Sequence, residues 1–386
     1  MTADPASLGT NKPVWILRDE RFLEHDMGPG HPENPGRLRA IYADLDARPL
    51  PGCVVREPRE ATSAQIERVH ARDYVRTVSD TAGKPRVVLD PDTSTSARSY
   101  EVAVAAAGAA LGAAEAVVGR DARGAFALVR PPGHHAEANA AMGFCLFNNI
   151  AIAAEHAVRN LGCSRVLVLD PDVHHGNGTQ HAFYGRSDVL FVSSHAYPFY
   201  PGTGWFTEVG TGAGAGHTIN LPMPPGLGDA DYLYAYEQIV APIVDEYSPD
   251  LVLVSAGFDT WQFDPIGPMR LTEAGFRKLF GLFVSWSERH CPGRIVMTLE
   301  GGYDPAGLIA GVRASIESMV RAGSSFDGQM TAGAASDAVR HSSDDLLGQS
   351  SDDSDRHEFG SPSRSAHAVV ANARAALSPF WSSLRV

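Results

Sequence analysis

Between residues 170 and 181 the chain reads Asp170-Pro-Asp172-Val-His174-His175-Gly-Asn177-Gly-Thr-Gln-His181, setting two carboxylates and two adjacent imidazoles at the mouth of the apolar run Val166 to Leu169. In an extended segment alternate side chains share a face, so Asp170, Asp172 and His174 point one way and His175 the other. An Asp-x-His pair offers a hard oxygen and a borderline nitrogen, a mixture that suits Zn2+, but two ligands do not make a site. Asp259, closing Leu251-Val-Leu-Val-Ser-Ala-Gly-Phe-Asp259, is the candidate third ligand, because it too follows a continuous apolar run. Asp and Gly after a strand are also ordinary turn formers. Two acid-bearing strand ends together with a His pair favour the metal.

Arg130-Pro-Pro-Gly-His134-His135 places a second His pair after an apolar run ending at Val129. Two adjacent imidazoles near a metal can divide proton work, one taking a proton from water and the other stabilising charge. A metal held by two carboxylates and one imidazole keeps a fourth position open, which marks a catalytic site and makes hydrolysis the natural chemistry. The oxyanion that develops then needs a donor. Tyr303, in Leu299-Glu-Gly-Gly-Tyr303, is the nominee, with Gly301 and Gly302 allowing the backbone to bend toward the site; packing is the plainer reading of a lone Tyr there.

These loops need a scaffold that brings several strand ends together. Apolar runs at Val14 to Leu17, Ala125 to Val129, Val166 to Leu169, Val189 to Val192, Leu251 to Val254 and Ile295 to Leu299 alternate with helical patterns at Tyr100 to Val118, Asn149 to Val158, Ala230 to Tyr247, Thr272 to Glu288 and Pro305 to Val320. Such alternation implies βαβ units and a parallel sheet covered on both faces, whose carboxyl edge is where α/β proteins place their chemistry. Residues 13–322 therefore read as one α/β domain of three layers. From 323 to 365 Ser, Asp and Gly dominate, and a segment so poor in apolar residues is expected to be a flexible acidic loop. Val369, Val370, Ala373, Ala376 and Leu377 share one helical stripe, so Ala366 to Leu377 is expected to dock back on the domain as a terminal helix, within a closing unit 366–386.

The 386 residues carry a formal charge of −13. That excludes the basic stripe a direct nucleic-acid contact requires, and favours cationic partners. Cys53, Cys145, Cys163 and Cys291 are scattered without C-x-x-C spacing, which fits neither a disulfide framework nor a thiolate zinc site and suits a reducing cytoplasm. The N-terminus does not read as a secretory signal. Val102 to Ala114 reads as a tightly packed helix, too short and too weakly apolar for a bilayer, so no membrane partner is expected.

Seven segments taken in order resemble the zinc-dependent histone deacetylase family, in its bacterial class II-like deacetylase and acetylpolyamine amidohydrolase branch. They are Gly28-Pro-Gly-His-Pro-Glu-Asn-Pro-Gly-Arg37-Leu, Arg130-Pro-Pro-Gly-His-His-Ala, Gly143-Phe144-Cys-Leu-Phe-Asn-Asn149, Asp170-Pro-Asp-Val-His-His-Gly-Asn-Gly-Thr-Gln180, Tyr200-Pro-Gly-Thr-Gly204, Ser255-Ala-Gly-Phe-Asp259 and Glu300-Gly-Gly-Tyr303. The resemblance implies an arginase/deacetylase-like sheet, zinc on Asp172, His174 and Asp259, and Tyr303 as oxyanion donor. It gives His135 the general base and acid role, with His134 as electrostatic partner oriented by Asp170. Asn177 stands where some relatives have an Asp behind the second histidine, and without a charge it should leave that imidazole less basic. Gly143, Phe144 and Tyr200 are implied to line an acyl-lysine channel, and Arg37 to lie near an inner cavity for acetate. A potassium ion beside Asp170, the carbonyls of Asp172 and His174, and Ser193 is also implied. Position 266 is Ile, so an acidic gate for a distal ammonium is missing there, and Asp264, Glu33 or Asp26 could supply that charge instead. The substrate so implied is an acylated lysine peptide or an acetylated polyamine; a homo-oligomer is a further candidate assembly.

Three other readings compete. A cysteine hydrolase would pair Cys145 with His134 or His135. Gly210-Thr-Gly-Ala-Gly-Ala215 loosely fits a dinucleotide fingerprint, but Thr218 to Leu221 after it looks like a strand where a helix is needed. A non-catalytic acyl-lysine or polyamine binding protein would have no use for both His135 and Tyr303.

Overall fold

In the computed structural model, which describes residues 12–333 and 359–385, the apolar runs become neighbouring strands. The strands are β1 (Val14–Leu17), β2 (Cys53–Arg56), β3 (Val87–Asp90), β4 (Thr93–Thr95), β5 (Gly124–Ala127), β6 (Val166–Asp170), β7 (Val189–Ala196), β8 (Thr218–Met223), β9 (Leu251–Ala256) and β10 (Ile295–Leu299). Eight of them form one sheet in the order β2-β1-β5-β10-β9-β6-β7-β8, with every adjacent pair parallel. β3 and β4 make a separate antiparallel hairpin.

The helices are α1 (Gly36–Ala47), α2 (Ser63–Ile66), α3 (Arg72–Ser79), α4 (Ser99–Val118), α5 (Asn149–Asn160), α6 (Asn177–Phe183), α7 (Asp229–Ala235), α8 (Ala241–Tyr247), α9 (Glu273–His290), α10 (Pro305–Gly333) and α11 (Arg364–Leu377). One group packs α4 against α5; the other joins α1, α7, α9 and α10. Every residue within strands β5, β6, β7, β8, β9 and β10 is buried, as strands covered on both faces must be. This is the three-layer α/β architecture expected.

Several boundaries differ from the sequence reading for identifiable reasons. β7 runs on through Ser193, Ser194 and His195, whose polar side chains end the apolar run but are satisfied inside, Ser194 by the Tyr236 hydroxyl (2.9 Å) and His195 by the Gly204 carbonyl (2.9 Å). β2 is a half-exposed edge strand whose apolar run, Cys53 to Val55, is only three residues long. The single helix expected over Ala230 to Tyr247 is α7 and α8 joined by a π-helical turn at Tyr236–Val240. Pro242, in the first turn of α8, has no N–H to give the turn before it, so the backbone widens there.

α4 matches the helix read over Tyr100 to Val118 to within one residue. By length and composition alone it could cross a membrane, but most of it is buried in the core against α5 and β5, in keeping with the reading of Val102 to Ala114 as a tightly packed helix. On another side Gly108 lets the Arg59–Ala61 backbone come close: a Cβ there would sit 1.9 Å from the Arg59 carbonyl oxygen.

α10 continues to Gly333, into the stretch read as loop. Of that acidic stretch 334–358 lies outside the described residues, and α11 begins inside its end, at Arg364. α11 buries Ala366, Val369, Val370, Ala373 and Leu377 against β8 and α7, and the Trp381 indole donates to the Gly216 carbonyl at 2.8 Å. The helix thus covers what would otherwise be the free edge at β8.

Candidate active site

Five strands adjacent in the sheet, β5, β10, β9, β6 and β7, end at one place, and the loops after them carry the candidate residues. Asp172 and His174 follow β6 and Asp259 follows β9, and their ligand atoms lie within 4.8 Å of one another. All three are buried. Backbone donors set the carboxylates: Val173 N–H reaches Asp259 Oδ1 (2.8 Å) and Gly301 N–H reaches Asp172 Oδ2 (2.8 Å). Asp259 Oδ2 is buried and faces only His174 Nδ1, at 3.3 Å and outside good hydrogen-bond geometry. Only glycine fits around the pair, since a Cβ on Gly257 would fall 2.0 Å from Asp172 Oδ2 and one on Gly301 would fall 2.1 Å from Asp259 Oδ2. Burial and the neighbouring Asp172 charge push the Asp259 carboxyl up to about 7. Two buried carboxylates whose free oxygens crowd one imidazole nitrogen are a donor set that fits a divalent zinc.

The second His pair is held in opposed states. His134 donates through Nδ1 to Asp170 Oδ2 at 3.0 Å. Burial lowers His134, but the carboxylates of Asp170 and Asp172 outweigh it and raise the imidazole to about 10. His135, whose ring centre is 4.0 Å from that of His134, faces Asn177 Oδ1 through Nδ1 at 2.7 Å. Burial, then the charges of His134 and His174, hold it well below the usual histidine range. A charged imidazole beside a neutral one is the separation that acid and base roles require.

Tyr303 follows β10. Its N–H donates to Asp264 Oδ2 (2.7 Å), and Arg37 from α1 lies with its guanidinium 5.0 Å from the ring centre. Burial raises the phenol well above its ordinary value even with Arg37 opposing, so it stays a protonated donor. The Arg37 fork reaches the Gly302 carbonyl (2.6 Å), the Glu300 carbonyl and Glu33 Oε1 (3.1 Å).

A cavity of about 210 Å³ opens onto these groups, lined by His134, His135, His174 and Tyr303 at depth, with Gly143, Phe144, Tyr200 and Ile266 on the walls. Gly143 takes a left-handed φ of 56°, and a Cβ there would meet His135 Cδ2 at 2.3 Å. Phe144 is left-handed as well, at φ 70°, a costly state for a bulky residue. The β3/β4 hairpin holds it there: Gly143 N–H donates to Asp92 Oδ1 (3.2 Å) and Phe144 N–H to Thr93 Oγ1 (2.9 Å).

Comparison with known proteins decides the family: residues 31–319 match the histone deacetylase domain. The chain belongs to the histone deacetylase family. A probable deacetylase of Archaeoglobus fulgidus is 39% identical over 297 residues, covering 76% of this chain and 82% of that protein. The histone deacetylase-like amidohydrolase of Pseudomonas aeruginosa is 37% identical over 315 residues, covering 78% and 82%. Histone deacetylase 15 of Arabidopsis thaliana is 40% identical over 309 residues, and the match covers 78% of this chain but only 55% of that longer protein. A crystal structure of the HDA15 HD domain superposes with a TM-score of 0.83 at 34% identity, covering 97% of this chain and 96% of that one.

In this deacetylase-family chain one sequence expectation about the acids holds and another needs correction. Asp170 turns to His134, the orienting role the resemblance implied for it, and stays outside the Asp172, His174, Asp259 cluster. None of the acids suggested as a gate lines the cavity. Asp264 accepts the N–H groups of Ile266 (2.9 Å), Gly267 (3.1 Å), Tyr303 (2.7 Å) and Asp304 (3.2 Å); Glu33 is buried between Arg130 and Arg37; Asp26 takes the Gly28 N–H (2.8 Å). Cys145 is no nucleophile: it is fully buried, does not line the cavity, and burial pushes its thiol well up. Gly212–Gly214 is a short turn running into β8, so the dinucleotide reading fails as expected. Ser193 lies opposite Asp170 in the β6/β7 register, its hydroxyl paired with His195 Nδ1 (2.9 Å).

Three site residues escaped sequence reasoning. Asp92 lines the cavity from a hairpin too short to show a pattern. Phe199 stacks on His174 with ring centres 5.3 Å apart, and its place in Tyr197-Pro-Phe-Tyr200 just past β7 was the available signal. Glu300, adjacent to the Gly-Gly pair, accepts the N–H of Gly133 (2.6 Å) and of His134 (3.1 Å), tying the β5 and β10 loops together.

Proposed function

We propose that this chain is a zinc-dependent amidohydrolase that removes acetyl or other short acyl groups from lysine side chains of proteins or peptides. The observation that carries the reading is one cavity lined by His134, His135, Tyr303 and His174, the last belonging to the buried Asp172, His174, Asp259 cluster. Asp172, His174 and Asp259 would hold the zinc, which when bound supplies a Lewis acid that polarises the scissile carbonyl and acidifies water. His135 takes the proton of the attacking water and returns one to the leaving amine. His134 stays charged on Asp170 and stabilises the negative charge that builds beside it. The Tyr303 hydroxyl donates to the oxyanion, on a loop braced by Arg37. Phe144, Phe199 and Tyr200 embrace the methylene stem of the lysine and exclude water.

An acetylated polyamine is the second substrate reading, favoured by the Asp92 carboxylate on the cavity wall and by the acidic chain. The pairing of Ser193 with Asp170 across β6 and β7 supports a structural potassium ion there. Four free cysteines, three of them buried, suit a cytoplasmic setting. The deciding experiment is a kcat/KM series over acetyl-lysine peptides, longer acyl-lysine peptides and acetylated polyamines with zinc-loaded protein. Peptide turnover should dominate; turnover of small amines alone would reverse the ranking.

A further inference from the structure

The Asn177 side chain that meets His135 is itself held from behind. Its Nδ2 faces three acceptors: Glu137 Oε1 at 2.5 Å, the His135 carbonyl at 3.3 Å and Met142 Sδ at 3.4 Å. A carboxylate has no proton to give, so turning the amide over would set its oxygen against the Glu137 carboxylate and a backbone carbonyl, acceptor against acceptor. Only one orientation is left, and it presents Oδ1 to His135 Nδ1. That nitrogen must then carry the imidazole proton, leaving the Nε2 lone pair as the basic site.

We propose that Glu137 is a positioning residue that selects the tautomer of His135 by fixing the Asn177 amide. This rests on the reading of His135 as the proton-transfer base. The carboxylate that an Asp at position 177 would supply directly sits here one residue further out, and Asn177 relays its direction without its full charge. The chain ends at the surface, where the half-exposed His181 ring places Nδ1 2.8 Å and 3.0 Å from the two Glu137 oxygens. Burial raises Glu137, but the His181 and Asn177 hydrogen bonds outweigh it and keep the carboxylate ionised, as the relay requires. Its own N–H is tied to the Ala140 carbonyl at 3.0 Å, so the side chain is launched from a closed turn.

The test exchanges the two groups in the full-length, zinc-loaded protein. Glu137→Ala should lower kcat by ~10- to 100-fold, the usual cost of losing such an outer partner, with KM little changed. Asn177→Asp alone sets two carboxylates against each other and should also lose activity. Glu137→Gln combined with Asn177→Asp restores a donor facing an acceptor and should regain most of it. Losses that simply multiply in the double variant would overturn the proposal. NMR of the histidine ring nitrogens reads the tautomer without turnover: His135 should be protonated at Nδ1 in the wild type and mixed in Glu137→Ala. An unchanged tautomer also overturns the proposal, whereas full activity in His135→Ala would strike the catalytic reading instead. Glu137→Gln, close to the native shape, guards against a variant that merely fails to fold.

Discussion

Arg37 lies with its guanidinium 5.0 Å from the centre of the Tyr303 ring while donating to the carbonyls of Glu300 and Gly302, so one buried cation both braces the loop after β10 and faces the phenol at its end. Charge-assisted hydrogen bonds of this kind are worth roughly 1.5–3 kcal/mol. Arg37→Ala should therefore lower kcat by ~10- to 100-fold in steady-state assays. Arg37→Lys should recover little, because an ammonium cannot span both carbonyls as a planar fork does.

Tyr303→Phe removes one oxyanion donor and leaves the ring in place. Its kcat should fall by ~100- to 1000-fold, while the affinity for a hydroxamate inhibitor, measured by calorimetry, stays within a few-fold of wild type. Unchanged turnover would remove Tyr303 from the mechanism.

Gly301→Ala tests the cradle behind the carboxylates. The added Cβ would press on Asp259 Oδ2 at 2.1 Å and Asp172 Oδ2 at 2.6 Å. Elemental analysis should find zinc largely lost from a variant that still unfolds cooperatively on heating.

Glu33 carries a pH prediction. Burial raises its carboxyl, but Arg130 and Arg37 outweigh that and hold it at about 2, below the ordinary 4.5. A folded value below the unfolded one means stability that is complete above pH 4.5 and lost as pH falls toward 2, on the order of 3 kcal/mol in all. The gap in urea midpoint between wild type and Glu33→Gln should be constant from pH 7 to 5 and narrow below 4.5. A gap that widens with acid would contradict the assignment.

The central strands and the residues at their ends were legible because fully buried parallel strands are written as uninterrupted apolar runs, and Asp172, His174, Asp259 and Tyr303 each stand just beyond one. Asp92, Phe199 and Glu137 were not legible. Asp92 sits on a hairpin whose placement depends on contacts with Gly143 and Phe144 far along the chain. Phe199 becomes a channel wall only once β7 is extended through buried serines and a histidine that look like a strand's end. Glu137 acquires a role only when α6 brings Asn177 against it, a contact across 40 residues. The proposed gate acids failed for a related reason: Asp264 and Glu33 have acidic side chains already committed to backbone donors and arginines.

The most direct test of the account is metal analysis of active protein alongside inhibitor response. The account predicts zinc bound at Asp172, His174 and Asp259, activity abolished by a chelator and restored by added zinc, no loss on thiol alkylation, and absence of both metal and turnover in Asp259→Ala. Full amide hydrolysis by protein shown to contain no transition metal, or inactivation by alkylation of Cys145 alone, would contradict it.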